Sequence, residues 1–78
     1  MTMEELLSIL EEIEPDVDYG VCTTLIDDHI LDSFAILSLV SEIEDNFDVK
    51  VTPGEMTAEN FNSAQAIWAM IQRLEEEG

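Results

Sequence analysis

Ser33-Phe34-Ala35-Ile36-Leu37-Ser38-Leu39-Val40-Ser41-Glu42-Ile43-Glu44-Asp45-Asn46-Phe47 is the stretch from which the rest of the chain is read. At about 100° per residue, Ile36, Leu39, Val40, Ile43 and Phe47 fall on one narrow stripe, which predicts an amphipathic helix over 33–47 with one buried face. Phe34 and Leu37 fall outside that stripe, beside Ser41 and Glu44, so the helix carries a second, smaller apolar strip.

Upstream, Thr2 with Glu5 three residues later has a capping-box pattern, and Leu6, Ile9, Leu10 and Ile13 follow at helical spacing. Pro15 ends that helix, because the residue before a proline is disfavoured in helical geometry, so the predicted span is about 3–14. From Pro15 to Asp32 no period holds. A loop of this length in a compact domain is normally functional, and its scattered Val17, Tyr19, Val21, Leu25, Ile26, Ile30 and Leu31 are expected to pack along the helices. A short helical turn is expected near Leu25 to His29.

Downstream, residues 48–51 read as a connector. Thr52-Pro53-Gly54-Glu55 has the pattern of an N-cap followed by proline at the first helical position, predicting a short helix of roughly 53–60. Asn62-Ser63 then caps a last helix with Ala64, Ile67, Trp68, Ile71 and Leu74 on its stripe, and Glu75-Glu76-Glu77-Gly78 is expected to fray. The expectation is an all-α, four-helix bundle of three longer helices and one short one, with a long first loop, in a single domain over 1–78.

Two basic residues stand against nineteen acidic ones, a formal net charge of −17 at pH 7. That excludes nucleic acid as a partner, since affinity there comes largely from Lys and Arg neutralising phosphates, and argues equally against anionic membranes. With 46% hydrophobic residues the chain still has material for a core. The single cysteine, Cys22, rules out an internal disulfide and a multi-cysteine zinc site. With no basic-then-apolar leader and no apolar run near about 18 residues, no membrane insertion is expected and the expected compartment is the cytoplasm.

Three apparent motifs dissolve on inspection. Asp16-Val17-Asp18-Tyr19-Gly20 has its glycine one position early for a calcium loop, lacks a ligand at the fifth position and puts Asp27 at the twelfth, so no metal site is expected. His29 and Ser33 lie four apart among carboxylates, but no Gly-x-Ser-x-Gly elbow accompanies them and so small a helical chain has little room for an oxyanion hole and a substrate pocket, so no catalytic residue is assigned. Cys22 has no cationic neighbour in sequence to activate it, and Met56, Met70 and Trp68 read as core and rim.

Asp32-Ser33-Phe34 remains. By local chemistry it is a helix start with an Asp or Ser cap, whose free amides and dipole also suit a phosphate group. The wider pattern is Leu31-Asp32-Ser33-Phe34, then Leu39-Val40, Ile43 and Phe47, then Pro53 and a closing Asn62-Ser63 helix, and it resembles the acyl carrier protein family over nearly the whole chain. The resemblance implies a non-enzymatic carrier with 4'-phosphopantetheine bound covalently to Ser33, holding acyl or aminoacyl groups as thioesters. It implies three kinds of partner: a phosphopantetheinyl transferase, an acyl- or aminoacyl-activating ligase, and an acyltransferase or synthase serving lipid, cell-wall or secondary-metabolite chemistry. It also implies a monomer and a recognition role for Asp32, joined on the same helix by Phe34, Leu37, Ser41, Glu44 and Asp45. Leu31 and Phe34 flank Asp-Ser where fatty-acid carriers usually have a small residue and Leu, so the run is more similar to D-alanyl carriers and to stand-alone carriers paired with adenylating ligases. The rival from another class is an unmodified acidic helical interaction module that fills a basic groove, with Ser33 an ordinary cap.

Self-repulsion destabilises a compact chain so far from neutrality, and salt screens it over a Debye length of about 10 Å at 0.1 M. The melting temperature is therefore expected to rise with sodium chloride, and more steeply with magnesium chloride, which bridges neighbouring carboxylates. A melting temperature flat across both series would contradict this reading.

Overall fold

Thr2 opens the first helix: its Oγ accepts the Glu5 N–H at 3.3 Å and its carbonyl accepts the same amide at 3.2 Å. The computed structural model describes residues 2–77. Helix α1 runs Met3–Ile13, with Glu14 as the C-terminal cap just before Pro15, and buries Leu6, Ile9 and Leu10. Helix α2 runs Ser33–Phe47, as its stripe predicts, and buries Leu39, Val40, Ile43 and Phe47. Ile36, at the stripe's N-terminal end, is only partly buried, because the groove described below opens beside it.

The expected single helix over 53–60 is instead two pieces. Pro53–Glu55 is one 3₁₀ turn, and helix α3 is Ala58–Phe61. The Thr52 hydroxyl makes no cap bond, whereas Thr57 Oγ accepts the Asn60 N–H at 3.4 Å and so starts a new helix. The Asn60 amide then donates back to the Glu55 carbonyl at 2.8 Å, closing the break between the two pieces. Helix α4 spans Ala64–Glu77, with Ser63 Oγ accepting the Ala66 N–H at 3.0 Å. The last turn expected to fray is helical through Glu77, and Gly78 lies outside the described residues.

Helix α1 packs on α2 and α4, α2 packs on α4, and α3 closes against α4. Between them lies one core that includes Phe47, Phe61, Ile67, Met70 and Ile71. Trp68, expected on the core stripe, is half-buried and meets Phe47 edge-on, with ring centroids 5.9 Å apart. Arg73, off the stripe, reaches across to Glu55 Oε2 at 3.1 Å and along α4 to Glu77 Oε2 at 3.2 Å. Its guanidinium holds the Glu55 carboxyl below the usual carboxylate range.

The first loop packs as expected. Tyr19, Leu25 and Leu31 are buried in the core, Cys22 is half-buried against it, and only Val21 among the larger apolar loop residues is left 75% exposed. Tyr19 fastens the loop to α1, its hydroxyl donating to the Leu10 carbonyl at 3.0 Å and the Glu14 carbonyl at 2.7 Å.

Burial, with Glu14 nearby, pushes the Tyr19 phenol up to about 12 from the ordinary 10.0. Because the folded value is the raised one, this contribution to stability is complete below pH 10 and is lost as the pH climbs from 10 toward about 12. In an absorbance titration, tyrosinate from this single tyrosine should appear above its ordinary range and together with loss of helical circular dichroism. Tyr19→Phe should lower stability near neutrality by about 1 kcal/mol. Tyrosinate formed at the ordinary value with helicity intact would contradict the anchor.

Candidate functional site: the tip of α2

Asp32 sets the geometry of this end. Its backbone is extended, its Oδ1 accepts the Ala35 N–H at 2.8 Å, and its carbonyl accepts the Ile36 N–H at 2.9 Å. Asp32 is thus the cap and Ser33 the first helical residue, its side chain exposed. A helix leaves its first amides without intrahelical partners; here Ala35 and Ile36 are satisfied by Asp32, so those of Ser33 and Phe34 stay at the helix tip. The result is one primary hydroxyl presented to solvent on a rigid element beside two free N–H donors.

The long loop holds this tip in place. Residues 24–31 form a compact turn, in which the Asp28 N–H donates to the Thr24 carbonyl at 2.9 Å and the Leu31 N–H to the Leu25 carbonyl at 3.0 Å. Asn62, at the end of α3, clamps that turn: its Oδ1 accepts the N–H groups of Ile26 at 2.9 Å and Asp27 at 3.1 Å, and its carbonyl accepts that of Leu25 at 2.9 Å. The Asn62 amide donates back to Asp27 Oδ2 at 3.3 Å. His29 completes the turn in the left-handed region, with φ 57°.

An open groove of about 520 Å³ runs beside Ser33, walled by Ile26, His29, Asp32, Ile36, Leu37 and Met56. A smaller hollow of about 120 Å³ shares Ile26, Ile36 and Met56 with it and ends on Phe61. His29 and Ser33 share the groove, and among the described residues no hydrogen bond joins them. Among the described residues no cluster of three or more His, Cys, Asp or Glu could hold a metal ion.

The residues read from the sequence fall on this end and along α2. Phe34 is 82% exposed and Leu37 is 59% exposed, so the second apolar strip faces solvent and the loop does not cover it. Ser41 and Asp45 are exposed further along the helix. Glu44 differs from its neighbours: it is half-buried, and its Oε2 accepts the Val51 N–H at 2.9 Å, tying the connector back to α2. Three residues of the site and of the loop leading to it carried no sequence signal of their role. Asn62 read only as part of a cap, Tyr19 as one of several loop apolars, and His29 as half of a rejected catalytic pair.

No family model matches the chain. Curated relatives do. The D-alanyl carrier proteins of Lactococcus lactis subsp. lactis strain IL1403 and of Lactococcus lactis subsp. cremoris strains MG1363 and SK11 are each 34% identical to it over 73 residues, covering 94% of this chain and 87% of theirs. The chain belongs to the acyl carrier protein family. As in a carrier of this kind, the bundle is all-helical over the described residues, and no described helix is long and apolar enough to cross a membrane. The carrier role also fits a site whose chemistry is presentation of one hydroxyl.

Because Asp32 is the cap, Asp32→Ala should lower stability by about 1 kcal/mol. Ser33→Ala and Leu37→Ala, both at exposed positions, should each stay within about 0.5 kcal/mol of the parent in urea titrations. A loss of about 2–5 kcal/mol for Leu37→Ala would mean that the strip is buried.

Proposed function

We propose that this carrier bears a 4'-phosphopantetheine arm on Ser33 and presents aminoacyl groups, with D-alanine the favoured cargo. The observation that carries the reading is the exposed Ser33 hydroxyl at the tip of α2, in a chain similar over 94% of its length to D-alanyl carrier proteins. When bound, the arm supplies a thiol on which cargo is held as a thioester. The protein's own part is attachment and presentation. Ser33 Oγ gives up its proton and attacks the pantetheine-side phosphorus of coenzyme A on a phosphopantetheinyl transferase; the pyrophosphate bond breaks, a phosphodiester forms on Ser33, and adenosine 3',5'-bisphosphate leaves. The residues present fit the group: the free amides of Ser33 and Phe34 and the positive end of the α2 dipole favour the phosphate, and Asp32 keeps the tip helical.

Partner enzymes on this reading dock on α2. Phe34 and Leu37 offer exposed apolar contact, while Asp32, Ser41, Glu44 and Asp45 offer polar and acidic ground that speeds encounter with basic surfaces. The partners are the transferase, an adenylating ligase that loads the cargo, and an acyltransferase that removes it. The carrier itself catalyses none of these steps. Since Glu44 also secures Val51, Asp45→Lys is the cleaner probe of acidic recognition.

Intact mass tests the reading. Incubation with a promiscuous transferase and coenzyme A should add one arm to the wild type and none to Ser33→Ala. The loaded-arm form, given an adenylating ligase with ATP, should then gain D-alanine in preference to L-alanine or a fatty acid. No mass gain where a control carrier is modified would overturn the arm. Preferential loading of a fatty acid would overturn the cargo.

A further inference from the structure

We infer that His29 is the phosphate-facing cation of this carrier, pairing in its protonated form with the phosphodiester on Ser33 and so holding the base of the arm against the groove wall in a pH-dependent way. The inference rests on the Ser33 arm proposed above and adds a residue to it.

Three observations meet at His29. It lines the same groove as Ser33, together with Ile36 and Leu37 of α2. It is the only imidazole in the chain, and both other basic side chains are placed elsewhere: Lys50 lies beside Phe47 at the other end of α2, and Arg73 is engaged by Glu55 and Glu77. Its backbone adopts φ 57°, a left-handed conformation that glycine takes without penalty and a side-chain-bearing residue does not. The turn would close as well without an imidazole, so local geometry does not account for this side chain.

Among the described residues no carboxylate is ion-paired with His29, and the acids nearest it in sequence are hydrogen-bonded to other groups. Asp28 accepts the Thr24 hydroxyl at 2.6 Å, Asp27 accepts the Asn62 amide, and Asp32 accepts the Ala35 amide. From the 3₁₀ turn Glu55 is drawn toward Arg73, and the groove wall contributed there is Met56. Asp32 and His29 are therefore the titratable groups of the groove itself. A phosphodiester stays anionic across neutral pH, whereas an imidazole changes charge between about pH 5 and 8. The phosphodiester on Ser33 would meet the helix-tip amides throughout that range, and an imidazolium lining the same groove only at its acid end.

The test is phosphorus-31 NMR of arm-bearing protein, confirmed by intact mass, titrated from about pH 5 to 8. The wild-type phosphodiester resonance should move through one step that coincides with the His29 ring-carbon resonances. In His29→Gln and His29→Gly the resonance should be flat. His29→Gly also relieves the left-handed strain, so its melting temperature should match or exceed the parent's and a flat titration cannot be put down to unfolding. A flat wild-type titration, or a step that persists in both variants, would overturn the role of His29 while leaving the arm on Ser33 intact. Absence of the arm in the wild type would overturn both.

Discussion

One side chain, Asn62, fastens the longest irregular stretch of this chain to its helices. Residues 25–27 have no helix or strand to satisfy their backbone amides, and an amide left unpaired against the core is strongly unfavourable. Asn62 resolves this with its carbonyl and its side chain together, taking the amides of Leu25, Ile26 and Asp27 and returning a bond to Asp27. With those amides satisfied, Leu25 is fully buried and Leu31 nearly so, and the chain enters α2 from a fixed direction. The placement of Asp32 and Ser33, and of the groove beside them, follows from that entry.

Electrostatics work against this arrangement almost everywhere else. None of the four α-helices has a basic residue in its last turn, and α4 ends in Glu75, Glu76 and Glu77, where the helix dipole disfavours negative charge. The acids that do stabilise sit at specific places: Asp32 at the α2 cap, Glu44 on the Val51 amide, and Glu55 on Arg73. Asp27 and Asp28 add local bonds to Asn62 and Thr24 in the turn, and much of the remainder is surface charge with little structural return. Such a distribution suits encounter with basic surfaces, because long-range attraction speeds encounter without requiring a large buried interface.

Where structure is decided locally, the sequence was legible. The stripe of Leu39, Val40, Ile43 and Phe47 and the Thr2 cap each depend on residues within a few positions, and α1 and α2 lie within a residue of where those signals put them. That Phe34 and Leu37 fall off the core stripe was legible for the same reason; that the long loop leaves Phe34 uncovered was not, because the path of the loop is set by contacts distant in sequence. Thr52-Pro53 misled because proline at a first helical position serves a 3₁₀ turn equally well; Thr57 and Asn60, through their own hydrogen bonds, made the division. The Asn62 clamp joins residues 35 and 36 apart, and no local pattern announces it. His29 was invisible as a left-handed residue because nothing beside it demands φ > 0; that demand comes from closing a turn whose far side Asn62 holds. The reading of Ser33 as the attachment site rests on the whole-chain resemblance, since Asp-Ser alone is an ordinary helix start.

The claim on which the rest depends is that the loop before Ser33 is a pinned, preorganised element, and native-state amide hydrogen exchange at Ile26 and Asp27 tests it most directly. The account predicts strong protection of both amides in the wild type, lost in Asn62→Ala while the amides in the centre of α1 keep theirs. Exchange of Ile26 and Asp27 at the rate of an unstructured peptide in the wild type would contradict it, and with it the view that Ser33 is held in place by the long loop.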